Sequence, residues 1–279
     1  VNGTLFFAAA GSSNGTGIEN IELWKSDGTE LGTVIVKDIR QGIWGSEIKS
    51  FIQVGSEVFF TADDGVHGRE LWKSDGTEAG TVMIRDRSDA NSSSISTHYD
   101  YINFATINNT IFFAGDDGIH GIELWKSDGT EAGTMMVKDF RTGLLNSHPE
   151  KLTNVNGTLF FSIFDSLYGN ILWKSDGTEA GTLAVYNRSF PYSPNQLTNV
   201  NGTLFFTADD GVNGPELWKS DGTEAGTIMV KDINFPNVVD NAEPQYLTNV
   251  NGTLFFTAAD GAGQELWKSD GTEAGTVMV

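Results

Sequence analysis

The sequence predicts an all-β fold, a six-bladed β-propeller of four-stranded antiparallel blades, and three observations predict it. The octet Glu-Leu-Trp-Lys-Ser-Asp-Gly-Thr, once with Ile in place of Glu, recurs with its tryptophan at Trp24, Trp72, Trp125, Trp173, Trp218 and Trp267. The spacings of 48, 53, 48, 45 and 49 residues suit a four-stranded propeller repeat. Each octet is flanked by short β-branched and aromatic runs separated by turn residues, and no segment has helical periodicity. The units are about 1–48, 49–101, 102–149, 150–194, 195–244 and 245–279, read together as a single domain and as a window of a longer chain. An open β-solenoid is the competing architecture, but its coils are usually shorter and pair in parallel.

Within a unit the first strand is a short apolar segment such as Tyr246-Leu247-Thr248-Asn249-Val250. The first unit begins at Val1-Asn2-Gly3 and is expected to lack this inner strand, to be supplied by preceding residues or a neighbouring subunit. Asn-Gly follows at Asn2-Gly3, Asn156-Gly157, Asn201-Gly202 and Asn251-Gly252, the dipeptide that a two-residue type I′ hairpin requires. Gly55-Ser56 and Asn108-Asn109 take its place elsewhere. The second strand, such as Leu204-Phe205-Phe206-Thr207-Ala208, is apolar on both faces and must be covered on both by neighbouring sheets. The octet supplies the third strand. Its Ser-Asp-Gly-Thr end then turns the chain, with Gly for positive φ and Asp or Ser bonding back to the turn amides. Runs such as Thr227-Ile228-Met229-Val230 make the fourth strand.

Composition narrows the partners. With 37 acidic against 17 basic side chains the formal charge is −20, which repels phosphate backbones and anionic headgroups. Nucleic acid and membrane insertion are excluded on that ground and by the lack of any long apolar run. There is no cysteine, hence no disulfide, thiolate metal site or cysteine nucleophile. Seven Trp and 18 Phe supply a buried core.

The octet resembles the ELWxxDGT repeat family of bacterial proteins, and the resemblance covers almost the whole chain. It implies a propeller-like module, extracellular or at the cell surface, with no agreed activity. The Ser-Asp-Gly-Thr turn is also similar to the Asp-box turn of sialidase propellers, a structural element there, but its spacing departs and no catalytic residue is carried over.

Comparing the six units separates two kinds of loop. The Asn-Gly and Ser-Asp-Gly-Thr turns hardly vary and lie on one face of a meander blade. The loops between second and third strands and the blade connections, such as Asn187-Arg188-Ser189-Phe190-Pro191-Tyr192, vary and lie on the other. Binding is expected on the variable face. The octet tryptophans are read as interblade core, with the following Lys covering them by its stem and the Asp capping its own hairpin. Clustered carboxylates beside glycine turns, Asp63-Asp64, Asp116-Asp117 and Asp209-Asp210, are the candidate calcium ligands, against a reading as solvated turn acids; Asp260-Gly261 is the reduced form of the same turn. His67, His98, His120 and His148 offer general bases without a paired nucleophile. Gly11-Ser12-Ser13-Asn14-Gly15 matches a nucleophile-elbow pattern formally, but no helix follows. Asn-Gly-Thr sequons are explained by the tight turns.

These readings point first to a non-enzymatic extracellular or cell-surface propeller, a structural, adhesive or assembly module whose partners are other protein subunits or surface glycans. A lectin-like carbohydrate-binding propeller is the alternative. A glycoside hydrolase or lyase, which requires two convergent carboxylates, is the second.

Overall fold

The structure is a computed structural model that describes residues 1–11, 20–86, 103–165, 169–185, 190–233, 242–261 and 263–279. His98 and the Ser12–Gly15 part of the elbow-like stretch lie outside the described residues. The chain divides into two compact units, Val1–Asn146 and Ser147–Val279. Among the described residues each holds three antiparallel sheets whose strands are hydrogen-bonded in sequence order. Among the described residues five sheets have four strands and the first has three, Leu5–Ala10, Ile21–Ser26 and Val34–Lys37.

The fifth sheet shows how the repeat folds, with strands Asn195–Val200, Thr203–Asp209, Pro215–Ser220 and Ile228–Lys231. Its first hairpin turns on Asn201 (φ 51°) and Gly202 (φ 84°), the paired positive φ values of a type I′ turn. Its third strand pairs Phe205 with Lys219 and Phe206 with Trp218. The same register recurs, with Phe7 opposite Trp24 in the first sheet and Phe60 opposite Trp72 in the second. Because side chains alternate across a strand, every sheet has a forward face, carrying the octet Leu and Lys with the first Phe, and a rear face, carrying Trp with the second Phe. The octet Lys therefore cannot cover its own Trp. That expectation is corrected by the pleat, and at Trp267 it is the outer-strand Lys231 whose ammonium lies 5.7 Å from the ring centroid.

The core is built at the sheet junctions. In the first unit one apolar cluster joins Leu23, Val36 and Ile39 of the first repeat to Val58, Phe60 and Trp72 of the second. Another joins Phe59 and Leu71 to Ile111, Phe113 and Trp125. In the second unit Phe160 and Leu172 meet Phe206 and Trp218, and Phe205 and Leu217 meet Phe256 and Trp267. Trp72, Trp125, Trp218 and Trp267 are 3–6% exposed, while Trp24 and Trp173 are half-buried.

Candidate functional site

The octet is occupied by structural work on its own repeat and its neighbour. In the fifth sheet Asp221 Oδ1 accepts the Thr223 amide at 2.8 Å and the Thr223 hydroxyl at 2.7 Å. The Thr223 hydroxyl bond, and then its amide, holds the Asp221 carboxyl below the ordinary carboxylate value. Lys25 donates to the Gly76 carbonyl of the next sheet at 2.7 Å, Lys174 to that of Gly222 at 2.8 Å and Lys219 to that of Gly271 at 2.7 Å.

Sequence reading missed the octet Glu. Glu22, Glu70, Glu123 and Glu216 are 0–2% exposed. Glu22 accepts the Ile39 amide at 2.8 Å, Glu123 that of Phe140 at 3.0 Å and Glu216 that of Ile233 at 3.1 Å. Each carboxylate thus pins the backbone just beyond its sheet's outer strand. Burial pushes the Glu22 carboxyl up, against the opposing bonds from Ile39 and Ser46. The signal was present in the fixed separation of 17 residues to each amide, but an acceptor for a distant backbone donor has no motif.

On the variable face the acidic turns spend oxygens on their own backbone. Asp63 accepts the Gly65 amide at 2.6 Å, Asp116 that of Gly118 at 2.7 Å and Asp209 that of Gly211 at 2.6 Å. Asp64, Asp117 and Asp210 each accept two amides, at 2.9–3.0 Å. Among the described residues no group of three or more His, Asp or Glu side chains is arranged to hold a metal ion. His67 Nδ1 lies 2.6 Å from Asp64 Oδ2 and His120 Nδ1 lies 2.8 Å from Asp117 Oδ2. In the equivalent turn of the fifth sheet Asn213 Nδ2 donates to Asp210 Oδ2 at 2.8 Å. An amide that fills the imidazole's place marks the position as a donor to the turn.

The Asp64 bond raises the His67 pKa above its ordinary 6.5. Burial alone would raise Asp64, but the His67 and Val66 amides together with the His67 ring outweigh it and hold it below 3.8. The His67 contribution is complete below pH about 6.5 and disappears as pH rises through the raised folded value. The Asp64 contribution is complete above about 3.8 and disappears as pH falls through its lowered one. In His67→Asn the neutral donor remains, so the wild type should gain most over it between these limits. A melting-temperature difference that stays constant up to pH 9 would remove the charged pair from the account.

The second unit carries a groove of about 250 Å³ on this face. Tyr192, Gln196, Asp209, Glu243 and Gln245 line it. Tyr192 is 68% exposed and Asp209 is 7% exposed. The connector is fixed to the sheet by the Glu243 amide on the Pro215 carbonyl at 3.2 Å and the Thr207 hydroxyl on the Pro244 carbonyl at 2.7 Å. Gln196 (φ 56°) and Glu243 (φ 43°) hold left-handed backbone that non-glycine residues rarely adopt. Gln196 lies where the ladder register shifts between Asn195 and Thr198, a bulge of the kind that re-aims side chains. Of these residues, sequence reading had Asp209 as a calcium ligand and Tyr192 as part of a variable connection. That Glu243 lines the same groove as Asp209 was invisible to it.

No family model and no curated protein matches the chain. Solved structures do. A prolyl endopeptidase structure, from a study of two such enzymes and the role of inter-domain dynamics in their catalysis and specificity, is 14% identical with a TM-score of 0.60. That match covers 100% of this chain and 42% of the other. A Mycobacterium tuberculosis puromycin-hydrolyzing peptidase is 11% identical with a TM-score of 0.55, over 98% of this chain and 44% of its own. The Niastella koreensis GH74 enzyme is 13% identical with a TM-score of 0.52, over 99% of this chain and 43% of its own. The chain thus spans less than half the length of these three structures. At such identities the likeness shows the fold. It also corrects two expectations, that the chain is a non-enzymatic structural, adhesive or assembly module and that it is not an enzyme. Both were drawn from repetition, and a similar propeller-like sheet arrangement occurs in these three enzymes.

Proposed function

We propose that the six sheets are the six blades of one propeller, that the chain belongs with the ELWxxDGT repeat proteins, and that it is the propeller portion of a hydrolase acting on carbohydrate. The observation that carries the substrate class is the groove, where an exposed tyrosine stands beside two carboxylates and three side-chain amides. An aromatic face with polar groups around it suits a sugar ring, which presents C–H faces and a rim of hydroxyls. Asp209, at the end of a strand, and Glu243, in the connector that follows the fifth sheet, line one cleft, and glycoside cleavage uses such a pair as acid and base. Gln196 and Gln245 supply donors and acceptors for hydroxyls.

The test is reducing-end release from a panel of neutral polysaccharides, with binding of the derived oligosaccharides measured by calorimetry. Asp209→Asn keeps the acceptor for the Gly211 amide, so the turn survives the change. Asp209→Asn or Glu243→Gln should lower turnover by roughly 10²–10⁴-fold, the usual contribution of a positioned acid or base. Tyr192→Ala should weaken oligosaccharide binding with little effect on melting temperature. Wild-type turnover retained in both carboxylate variants, or no saccharide bound by the wild type, would overturn this reading. A peptidase propeller is the second reading, favoured by the prolyl endopeptidase match at a TM-score of 0.60. Hydrolysis of prolyl peptides in place of saccharides would select it.

A further inference from the structure

In the second repeat an arginine fills the corner between the inner strands and the connector that precedes them. Arg69 is 6% exposed. Its guanidinium donates to the Glu47 carbonyl at 2.6 Å, to the Glu47 carboxylate at 2.5 Å and to the Thr61 hydroxyl at 3.4 Å. Asp63, paired with Arg69 across the ladder, has a second cation beside it, with Arg40 Nη1 3.4 Å from its Oδ2. Two carboxylates thus meet two guanidinium groups.

Strand register locates the same corner in the fifth repeat. Lys49 pairs with Thr61 as Asn195 pairs with Thr207, and Asp63 pairs with Arg69 as Asp209 pairs with Pro215. Two residues before Lys49 and Asn195, Ser193 stands where Glu47 does. Ser193, Thr207, Asp209 and Pro215 all line the groove described above. The turn glycines differ in the same sense: a Cβ at Gly65 would lie 3.0 Å from the Arg40 side chain, and one at Gly211 3.4 Å from Pro191. The groove is therefore the space that a guanidinium occupies in the second repeat, with prolines in place of both cations. One acid of that corner, Asp209, is kept, and Glu243 is added. No Lys, Arg or His lines the groove, and among the described residues neither carboxylate is in an ion pair. Asp209 is 7% exposed, and a carboxylate so buried is stabilised by a counter-charge.

We propose that this groove takes the ammonium of an amino sugar, a saccharide unit whose amine is free and not acetylated, seated where the second repeat holds its own Arg69 guanidinium. The inference rests on the reading of the groove as a saccharide site and adds the charge of the sugar. Asp209 and Glu243 attract the ammonium, and the Ser193 and Thr207 hydroxyl oxygens accept from its N–H groups. The exposed Tyr192 ring offers its face to the sugar and its cation. Acetylation removes the charge, and a uronic acid brings a like one, so both are disfavoured. The formal charge of −20 draws a cationic saccharide towards the protein.

Calorimetry at mildly acid pH, where the sugar amine is protonated, tests this with equal-length oligomers of glucosamine, N-acetylglucosamine and glucose, and with an arginine-containing peptide. Wild type should bind the glucosamine oligomer roughly tenfold or more tighter than the other two. That advantage should shrink as salt rises. Asp209→Asn, which keeps the Gly211 amide bond, and Glu243→Gln, whose backbone bond to Pro215 is untouched, should each bring glucosamine down towards glucose. Pro215→Arg, which supplies the second repeat's guanidinium, should abolish the preference. Equal affinity for the three oligomers, or a preference that both carboxylate variants retain, overturns this inference and leaves the saccharide reading standing. No oligomer bound overturns both, and binding of the peptide alone does so in favour of the peptidase reading.

Discussion

Replacing Trp72 by Ala is expected to destabilise the first unit by about 3–5 kcal/mol, the range for emptying a buried aromatic site. Trp72 is 6% exposed and packs with Leu23, Val36 and Ile39 of the preceding repeat as well as Phe60 and Val58 of its own. Its removal leaves a cavity at a junction, where two rigid sheets cannot close over it as a loop could. Trp24→Ala should cost less, because Trp24 is half-buried. Urea unfolding of the two variants measures both effects. An unchanged midpoint for Trp72→Ala would put this side chain in solvent and return the octet to the list of ligand sites.

The second large effect comes from a matched pair of glycines. Gly129 (φ 88°) and Gly28 (φ 91°) hold almost the same backbone, which L side chains resist. At Gly129 a methyl group would meet the Phe59 ring at 2.9 Å, and Phe59 is 1% exposed; at Gly28 it meets nothing. Gly28→Ala should therefore cost only the backbone strain, about 1–2 kcal/mol. Gly129→Ala adds overpacking of about 1–3 kcal/mol. Urea denaturation of the two variants gives the packing of the turn on its neighbour as the difference. Equal losses would mean that the turn glycines are chosen for φ alone.

Much of the repeat could be read from residues. Asn-Gly requires two positive φ values and Asn201-Gly202 has them. The alternating Phe-Phe and Leu-Trp-Lys runs demanded sheets covered on both faces, and the junction clusters are that covering. What escaped was everything set by pairing across repeats. Octet Lys and Trp are adjacent in sequence, yet the pleat sends them to opposite faces and to different neighbours. The buried octet Glu serves a backbone amide 17 residues away, and hydrogen bonds to backbone leave no pattern in side-chain identity. The groove depends on left-handed Gln196 and Glu243, neither of which belongs to a turn motif. The non-enzymatic reading was drawn from the repeated octets, whereas the placing of Asp209 and Glu243 in one groove is a property of connector paths, the least repetitive part of the chain.

The central claim is that the repeated octets hold the sheets together while chemistry resides on the variable face. Hydrogen exchange with and without a saturating neutral oligosaccharide tests it most directly. Protection should appear in the segments around Tyr192–Gln196 and Glu243–Gln245, with the Ser-Asp-Gly-Thr turns unchanged. Protection spread over the octet turns, with the groove segments unaffected, would contradict the account.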